Sequence, residues 1–440
     1  MFVSAAARAS RLSSALSHRA LRRCASAAAA SSSSSSSSTA APLPGDHMLE
    51  RMGLPPSSRR LQLAGRFELG SGAALEAPHV AFNTYGTLNA AADNCVLVGH
   101  SLTSNSCVHE WWGELVGEGA HFALDTSRFF VVCANFLGSP YGSAGPLDVA
   151  DAATGRRAAA DFPVASVRDN ARLQRALLER LGVRRLAYAV GGSLGGCLAL
   201  EFAASFPELV DGLVLVATCA RHTDWAIGLG EAGRQAIFAD PLWRDGYYLN
   251  GGVGAAHPAA AGAAVAPSPP PLAGMSAARQ FALLSYRSPQ SLTEKFGRAQ
   301  HAAGRGAAEA RRQGGGAARA GVAPAPFFEV ERYLNHQGAK LTRRFDPLCY
   351  VRLTQLLDSH DVGAGRGDGS VAPVLRALAQ RTLVVGIDSD LLYPLPLSRE
   401  MAELIPRAEL RVISSPHGHD SFLIHIDELN RIVSDFVRRG

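Results

Sequence analysis

Residues 186–196 of this 440-residue chain read LAYAVGGSLGG and carry its strongest indication of fold. An apolar run rich in β-forming residues ends at a glycine pair, presents Ser193, and continues into a helix-prone segment, residues 197–202. The pattern G-x-S-x-G between a strand and a helix is typical of a serine nucleophile raised on a sharp turn. Such a turn strains the serine backbone, and a side chain on either flanking residue would clash, so glycine is required there.

A serine nucleophile needs a base, and the base is oriented by a carboxylate. In the fold that carries this turn, the acid follows the serine along the chain and the histidine comes last. Residues 381–387 read as a buried strand, and Asp388 and Asp390 follow its end. We therefore expect one of these two carboxylates at the same sheet edge as Ser193, and spacing alone does not choose between them.

The candidate bases lie after a second late strand. Residues 409–413 form that predicted strand, which runs into a loop containing His417 and His419. Both histidines stand in the order that a Ser–Asp–His triad requires, and spacing alone favours neither. The sequence thus predicts a nucleophilic serine enzyme whose triad is completed near the C-terminus.

Acyl chemistry at a serine also needs donors for the developing oxyanion. One donor should be the backbone N–H of Leu194, directly after the nucleophile and at a helix start, where the helix dipole adds to it. The second should come from the loop after an earlier strand, here residues 95–98 followed by GHSLTS at 99–104. We expect the Leu102 amide to be this second donor.

The remaining pattern alternates strands with helices, which predicts an α/β fold. Helices are expected at 167–181, 194–205 and 397–404. We expect a mostly parallel sheet with helices on both faces, and a helical lid inserted before the last strands. The predicted strands are 79–85, 95–98, 129–134, 186–190, 212–217, 382–387 and 409–413.

Several separate segments together resemble the homoserine O-acetyltransferases, α/β-hydrolase-fold enzymes that acylate an amino-acid hydroxyl from acyl-CoA. The resemblance extends with gaps from about residue 82 to the C-terminus. In chain order the segments are FNTYGTLN 82–89, GHSLT 99–103, DTSRFFVVCAN 125–135, GSAGP 142–146, GGSLGG 191–196, RQAIFADP 234–241, EKFGR 294–298, VERYLNHQG 330–338 and GHDSFL 418–423.

The resemblance implies roles for particular residues. The acid is the aspartate of a Ser-Asp pair, which falls on Asp390, and the base is the histidine of Gly-His-Asp, which falls on His419. A lid-helix arginine that holds the substrate carboxylate falls on Arg279, and a guanidinium suits this role because it donates two parallel hydrogen bonds. Asp420 is implied as the contact to the substrate amine, with helix capping as the alternative.

The implied reaction is ping-pong transfer through an acyl-serine. The co-substrate is acetyl-CoA or succinyl-CoA, the acceptor is L-serine or L-homoserine, and the product enters cysteine or methionine synthesis. No permanently bound cofactor and no metal are implied. The resemblance also implies a homodimer formed through the lid helices.

The acceptor is indicated by a departure from the homoserine enzymes. Residues 135–143 read NFLGSPYGS, with Ser139-Pro140 where a second glycine and a cysteine are usual. A second departure puts Pro347-Leu348 where Ala-Asn is common. The first resembles the serine O-succinyltransferase branch and slightly favours serine, although one methylene discriminates by only about 1–3 kcal/mol.

Two other classes share part of this pattern. A carboxylester hydrolase would have the same turn and triad but would lack the lid matches and Arg279. A non-catalytic binding module descended from such an enzyme is disfavoured, because Ser193, Asp390 and His419 are all present.

Composition is that of a globular protein, with 47% hydrophobic and 18% charged residues. The formal net charge of +5 lies largely in the N-terminal region and in low-complexity segments, so nucleic acid is not an expected partner. No segment approaches the ~20 apolar residues of a membrane span. The 7 cysteines are scattered and form no C-x-x-C pair, which fits a reducing compartment.

Residues 1–45 combine arginine, alanine and serine without an acidic residue, which is typical of a mitochondrial transit peptide with a serine-rich spacer. We therefore divide the chain into this disordered leader, a first part of the core at 46–218, a lid at 219–375, and a last part of the core at 376–440. Three lid segments, 252–273, 302–324 and 361–371, are expected to be disordered insertions with solvated arginines.

Overall fold

The computed structural model describes residues 58–254, 267–301 and 328–439. Its main element is an 8-stranded sheet in the spatial order β1-β2-β4-β3-β5-β6-β7-β8. The strands are β1 Arg59–Gln62, β2 His79–Tyr85, β3 Cys95–Gly99, β4 Phe130–Ala134, β5 Leu186–Gly192, β6 Val210–Val216, β7 Arg381–Ile387 and β8 Ala408–Ile413. Strand β2 pairs antiparallel with β1 and β4, and every other pair in this sheet is parallel. The predicted mostly parallel sheet is confirmed.

Helices cover both faces of the sheet, and six of those in the described residues lie between β6 and β7. They are α1 Val167–Arg180, α2 Leu194–Ser205, α3 Asp224–Phe238, α4 Leu272–Tyr286, α5 Pro289–Phe296, α6 Glu329–Thr342, α7 Pro347–Asp358, α8 Val371–Arg376, α9 Leu395–Leu404, α10 Ser421–Ile424 and α11 Ile426–Arg438. Three short strand pairs lie outside the main sheet: Arg66–Glu68 with Ala74–Glu76, Val116–Gly117 with Leu124–Asp125, and Val149–Asp151 with Arg156–Arg157.

The alternation of side chains along the central strands builds two apolar layers. In β3, Cys95 and Leu97 join the layer that contains α1 and α2, whereas Val96 and Val98 join the layer that contains α11. Both layers are needed because parallel strands in such a sheet are buried on both faces. The continuous apolar runs in the sequence reflect this double burial.

Helix starts follow local sequence signals. Helix α1 begins after Ser166, whose hydroxyl accepts a hydrogen bond from the Asp169 N–H, while the Asp169 carboxylate accepts one from the Ser166 N–H. This capping box satisfies two N–H groups that lack partners within the helix. Helix α3 is capped by Thr223 and α7 by Asp346 in related ways.

The predicted strands agree with those observed to within about two residues, and the predicted helix at 194–205 coincides with α2. Sequence reasoning missed β1. Its residues, RRLQ, are mostly polar and carry no apolar alternation, because β1 is an edge strand bonded on one side alone. Its position in the sheet depends on its pairing with β2 and not on its own composition.

The prediction that residues 361–371 form a disordered loop with solvated arginines is wrong. The Arg366 guanidinium donates to both carboxylate oxygens of Glu201, whose side chain is 2% exposed, and to the carbonyl of Val362. Arg168 pairs with the same carboxylate from α1. The segment is ordered because a buried charge on α2 requires a partner, and Arg366 supplies one.

The other two predicted insertions, 252–273 and 302–324, fall wholly or mostly outside the described residues, as does the leader at 1–45. In the described ranges no helix has the length and apolar character needed to cross a bilayer.

Candidate active site

Ser193 stands at the junction of β5 and α2, on the turn that the sequence predicts. Its backbone has φ 56 and ψ −124, a region that non-glycine residues rarely adopt. The strain is held by two hydrogen bonds to β6 and its following loop: the Ser193 N–H donates to Val216 O at 3.0 Å, and Thr218 Oγ1 donates to Ser193 O at 2.9 Å. The surrounding sheet therefore holds Ser193 in a backbone conformation that a serine would not adopt by local preference.

The flanking glycines are required by close backbone approaches. A Cβ on Gly191 would lie 2.0 Å from Gly195 O, and a Cβ on Gly195 would lie 1.9 Å from Gly99 O. These contacts bring the first turn of α2 against the ends of β3 and β5. The steric reason predicted for glycine on both sides of Ser193 is confirmed.

His419 joins the serine to a carboxylate. Its Nε2 lies 2.9 Å from Ser193 Oγ, and its Nδ1 lies 2.7 Å from Asp390 Oδ2. The other oxygen of Asp390 accepts hydrogen bonds from the N–H groups of Leu392 at 2.8 Å and Tyr393 at 2.9 Å. The structure thus brings together the serine, acid and histidine that the sequence and the resemblance predict.

The alternative acid and base lie elsewhere. Asp388 accepts hydrogen bonds from Ser414 Oγ and the Ser415 N–H, so it stabilises the loop after β8. His417 Nδ1 lies 3.1 Å from Ser291 Oγ, at the start of α5. The structure therefore distinguishes Asp390 from Asp388 and His419 from His417, which spacing in the sequence alone could not do.

The environment of His419 favours its charged form. Burial alone would lower the pKa of His419, but the charge and hydrogen bond of Asp390 outweigh burial and raise that pKa above its ordinary 6.5. Three aromatic rings surround the imidazole, with centroids 5.4 Å away for Tyr393 and Phe422 and 5.7 Å away for Tyr286. The histidine can therefore hold the proton taken from a serine in a site shielded from water.

Sequence reasoning missed a second chain of polar contacts beside the triad. Tyr393, whose N–H binds Asp390, also has its hydroxyl 3.1 Å from His222 Nδ1, and His222 Nε2 lies 3.6 Å from Asp358 Oδ1. Burial lowers the pKa of His222 to about 4, so the ring is neutral, and the Asp358 carboxylate near Nε2 favours the tautomer in which Nδ1 accepts from the tyrosine. These contacts link the loop that carries Asp390 to α7, and no local sequence motif predicts them.

The two predicted oxyanion donors lie on adjacent loops. Leu194 is the first residue of α2, and Leu102 follows β3, whose last residue Gly99 contacts Gly195. Within the described ranges neither amide donates to a protein acceptor. An N–H group without a protein acceptor suits an oxyanion, and the assignment of both donors stays a prediction.

The predicted substrate-binding residues lie on the lid side of the triad. The Arg279 guanidinium carbon lies 5.6 Å from the centroid of the Tyr286 ring, which in turn packs on His419. Asp420 forms an ion pair with Arg287, with Oδ2 and Nε 3.2 Å apart. The alternative role of Asp420 as a helix cap is wrong, because its side chain caps no N–H of α10. No sequence pattern predicted Arg287 as the partner of Asp420.

Two cavities lie near these elements. One of about 40 Å³ adjoins the triad between α3, α4 and α7, and its lining includes Leu102, Tyr286, His222 and Asp358. The other, of about 400 Å³, lies at the far end of α2 beside Arg366, and no triad residue lines either cavity. Among the described residues no cluster of three or more histidine, cysteine or acidic side chains is arranged for a metal ion.

Comparison with known proteins agrees with this geometry. Residues 94–426 match the family model of the alpha/beta hydrolase fold. A homoserine O-acetyltransferase of Salinibacter ruber is 48% identical over 370 residues, covering 83% of this chain and 94% of that protein. One of Trichormus variabilis is 42% identical, covering 84% and 91%, and one of Ascobolus immersus is 35% identical, covering 84% and 85%.

Solved structures show the same fold. The homoserine O-acetyltransferase from Bacillus anthracis superposes with a TM-score of 0.72 at 22% identity, covering 87% of this chain and 98% of that chain. Esterase E22 superposes with a TM-score of 0.70 at 20% identity, covering 86% and 99%. At these sequence identities, the structural similarity shows a shared fold but does not show a shared reaction.

Proposed function

The chain belongs to the homoserine O-acetyltransferase family of α/β-hydrolase-fold acyltransferases, and we propose from this premise that it transfers an acetyl group from acetyl-CoA to the side-chain hydroxyl of L-homoserine. The observation that carries the proposal is the contact of Ser193 Oγ with His419 Nε2 at 2.9 Å, in a chain 48% identical to a protein of that name. A triad alone would fit many acyl transfers, and the identity selects among them.

In the first half-reaction His419 takes the proton of Ser193 as its Oγ attacks the thioester carbonyl. Asp390 stabilises the imidazolium that results, and the Leu194 and Leu102 amides receive the oxyanion. The tetrahedral intermediate then collapses, CoA leaves as a thiol after accepting the proton from His419, and an acyl-serine is left on the enzyme. Ping-pong kinetics follow from this covalent intermediate.

In the second half-reaction the acceptor hydroxyl loses its proton to His419 and attacks the carbonyl of the acyl-serine. The tetrahedral intermediate collapses with cleavage of the bond between the acyl carbon and Ser193 Oγ, which takes the proton back from His419 as the O-acyl product leaves. Arg279 is proposed to hold the acceptor carboxylate, and Asp420 to attract its amine while paired with Arg287. Water is the competing nucleophile. Ser193 is 6% exposed and His419 3% exposed, so a positioned hydroxyl has the advantage over bulk water.

L-serine and succinyl-CoA are the second acceptor and donor under this proposal. The Ser139-Pro140 departure favours serine, but both residues are buried in a turn where Ser139 Oγ accepts from the Tyr141 N–H. They do not line the cavity beside the triad. We place homoserine first, because the relatives named homoserine O-acetyltransferase match over most of the chain.

The test is CoA release by the full-length protein with acetyl-CoA or succinyl-CoA, each combined with L-homoserine or L-serine. Acceptor-dependent release with acetyl-CoA and homoserine, abolished in Ser193→Ala, would support the proposal. Turnover restricted to another pair would replace the substrate. Hydrolysis of simple esters without any acceptor-dependent release would identify a carboxylester hydrolase instead.

We further propose that the protein works in mitochondria, on the composition of residues 1–45. A fusion of these residues to a fluorescent protein should co-localise with a mitochondrial marker. A matched fusion with the leader arginines changed to glutamine should stay in the cytosol, and cytosolic signal from both fusions would contradict the proposal.

A homodimer through the lid helices is proposed on the resemblance and on two exposed apolar side chains of α4, Phe281 at 45% and Leu284 at 46%. Light scattering at increasing concentration should give twice the chain mass. A double change of these residues to serine should give a monomer, and a monomeric parent protein would refute the proposal.

A further inference from the structure

The loop that carries the Leu102 amide is held through the carbonyl of the same peptide. The Ser101 carbonyl oxygen accepts hydrogen bonds from His100 Nδ1 at 2.8 Å and from the Ser104 N–H at 3.0 Å. In a trans peptide the C=O and N–H point in opposite directions. Holding the Ser101 oxygen therefore directs the Leu102 N–H the other way.

His100 provides this support from within the core. The side chain is fully buried, and its ring packs edge-on against Phe136 with centroids 4.7 Å apart. Burial lowers the pKa of His100 to about 4, so the ring is neutral. Because a carbonyl accepts only, the proton of this neutral ring lies on Nδ1.

A second support reaches the same loop from the lid. Arg344 lies between α6 and α7, and its Nη1 donates to the Thr103 carbonyl oxygen at 2.7 Å and to the Tyr141 hydroxyl. Glu110 lies close enough for its charge to interact with Arg344, and it accepts a hydrogen bond from Asn105 at 2.8 Å. The guanidinium thus joins the lid to the residue next to Leu102.

We propose that Arg344 is a positioning residue that couples the lid to the oxyanion loop, adding to the hold of His100 and the Ser104 N–H on the loop that carries the Leu102 amide. This inference rests on the proposed acyl transfer at Ser193. Arg344 touches no reacting atom. It acts through the Thr103 carbonyl, which limits rotation of the peptides between Ser101 and Ser104.

The coupling has a functional consequence. A lid that has moved away takes Arg344 with it, which leaves the loop with His100 and the turn bond as its supports. Acylation of Ser193 then slows, because a less firmly held donor stabilises the oxyanion less. An enzyme that must avoid hydrolysis benefits from an oxyanion hole that is held most firmly while the lid excludes water.

The experiment compares Arg344→Ala, Arg344→Lys and Arg343→Ala in the full-length protein. Arg343 is the matched control, because it is exposed and its side chain has no hydrogen bond or ion pair in the described residues. The measurements are kcat and KM for acetyl transfer, the rate of acylation by p-nitrophenyl acetate, the affinity of an aryl boronic acid, and the melting temperature.

For Arg344→Ala we expect kcat and the acylation rate to fall about 10- to 100-fold, with KM for the acceptor within about twofold of the parent. The affinity of the boronate, whose tetrahedral oxygen occupies the oxyanion site, should fall in parallel. Arg344→Lys should recover part of each loss, since one ammonium donor can still reach Thr103 O. Arg343→Ala should match the parent.

Parental acylation rate and boronate affinity in Arg344→Ala would overturn the proposal, as would a rise in acceptor KM with unchanged kcat. If Arg344→Ala does not fold, Arg344→Met, which keeps the aliphatic stem but has no donor for the Thr103 carbonyl, carries the same test, and parental boronate affinity in that variant would overturn the proposal. Failure of the proposed function is distinguishable, because ester acylation and boronate binding require no amino-acid acceptor.

Discussion

Ser193 and His419 are 226 positions apart in the chain, yet Ser193 Oγ lies 2.9 Å from His419 Nε2. The contact joins the turn after β5 to the loop after β8, on opposite sides of the lid insertion. It is possible because parallel strands end at the same sheet edge, where the loops that follow them meet. Chemistry at this edge therefore depends on residues from three separate loops.

Asp390→Asn should reduce kcat about 10³- to 10⁴-fold without unfolding the protein, because the amide no longer stabilises the imidazolium of His419. Asp388→Asn is the matched control, since Asp388 binds Ser414 and Ser415 and not the histidine. Steady-state kinetics and melting temperatures of both variants decide the matter. A larger loss of kcat in Asp388→Asn would move the acid to that residue.

The pH dependence of kcat/KM should have an acid limb above the ordinary histidine pKa of 6.5, since Asp390 raises the pKa of His419 despite burial. The neutral imidazole is the base, so activity is lost as pH falls through this raised pKa. In Asp390→Asn the limb should move to lower pH. In His417→Gln it should stay in place. Profiles between about pH 5 and 9 test this, and a limb that follows His417 would contradict it.

Gly195→Ala should yield little folded protein, because its Cβ would lie 1.9 Å from the Gly99 carbonyl oxygen, a backbone atom that cannot rotate away. The cost should exceed the ~1–3 kcal/mol of ordinary overpacking. Gly228→Ala is the control. It lies exposed in α3 with no atom within 4 Å of an added Cβ, and should stabilise by about 0.5–1 kcal/mol. Urea unfolding of both variants provides the comparison.

Arg366→Ala should destabilise the protein by about 3 kcal/mol, near the lower end for a broken buried pair because Arg168 still faces Glu201. Arg376→Ala, an exposed arginine of the neighbouring α8, should change stability little. Denaturant unfolding at neutral pH measures both free energies. Equal stability of the two variants would show that the Glu201 carboxylate does not need Arg366.

The same change should shift the acid sensitivity of the fold. Burial alone would raise the pKa of Glu201, but the hydrogen bonds and charges of Arg366 and Arg168 outweigh it and lower that pKa below 4.5. The stabilisation is therefore present above pH 4.5 and lost as pH falls through the lowered pKa. In Arg366→Ala, acid unfolding should begin at a higher pH than in the parent or in Arg376→Ala.

Arg279→Ala should raise KM for the amino-acid acceptor about 10- to 100-fold, the loss of a charge-assisted hydrogen bond. The rate of Ser193 acylation by p-nitrophenyl acetate should be unchanged, because that step involves no carboxylate. Arg332→Ala, on an exposed part of α6, should leave both unaffected. Equal loss of acylation and acceptor binding in Arg279→Ala would argue against a role in acceptor recognition.

Local sequence patterns predicted most of the sheet and the turn at Ser193. The strands β2 to β7 are largely apolar and mostly buried, and burial leaves its signature in composition. Edge strand β1 had no such signature. The ordered segment at 361–371 was misjudged for the opposite reason, because its glycines indicate a loop while the Arg366–Glu201 pair that orders it is not local.

The sequence by itself determined the nucleophile and its flanking glycines, because the turn that carries them depends on backbone conformations set within a few residues. The order of serine, acid and histidine can be read directly along the chain. Only the tertiary structure decided by geometry between Asp388 and Asp390, paired Asp420 with Arg287, and placed Arg344 on the Thr103 carbonyl. These contacts join segments that are far apart in the chain. Their geometry depends on how helices and loops pack around the sheet edge, and no periodicity in the sequence records that packing.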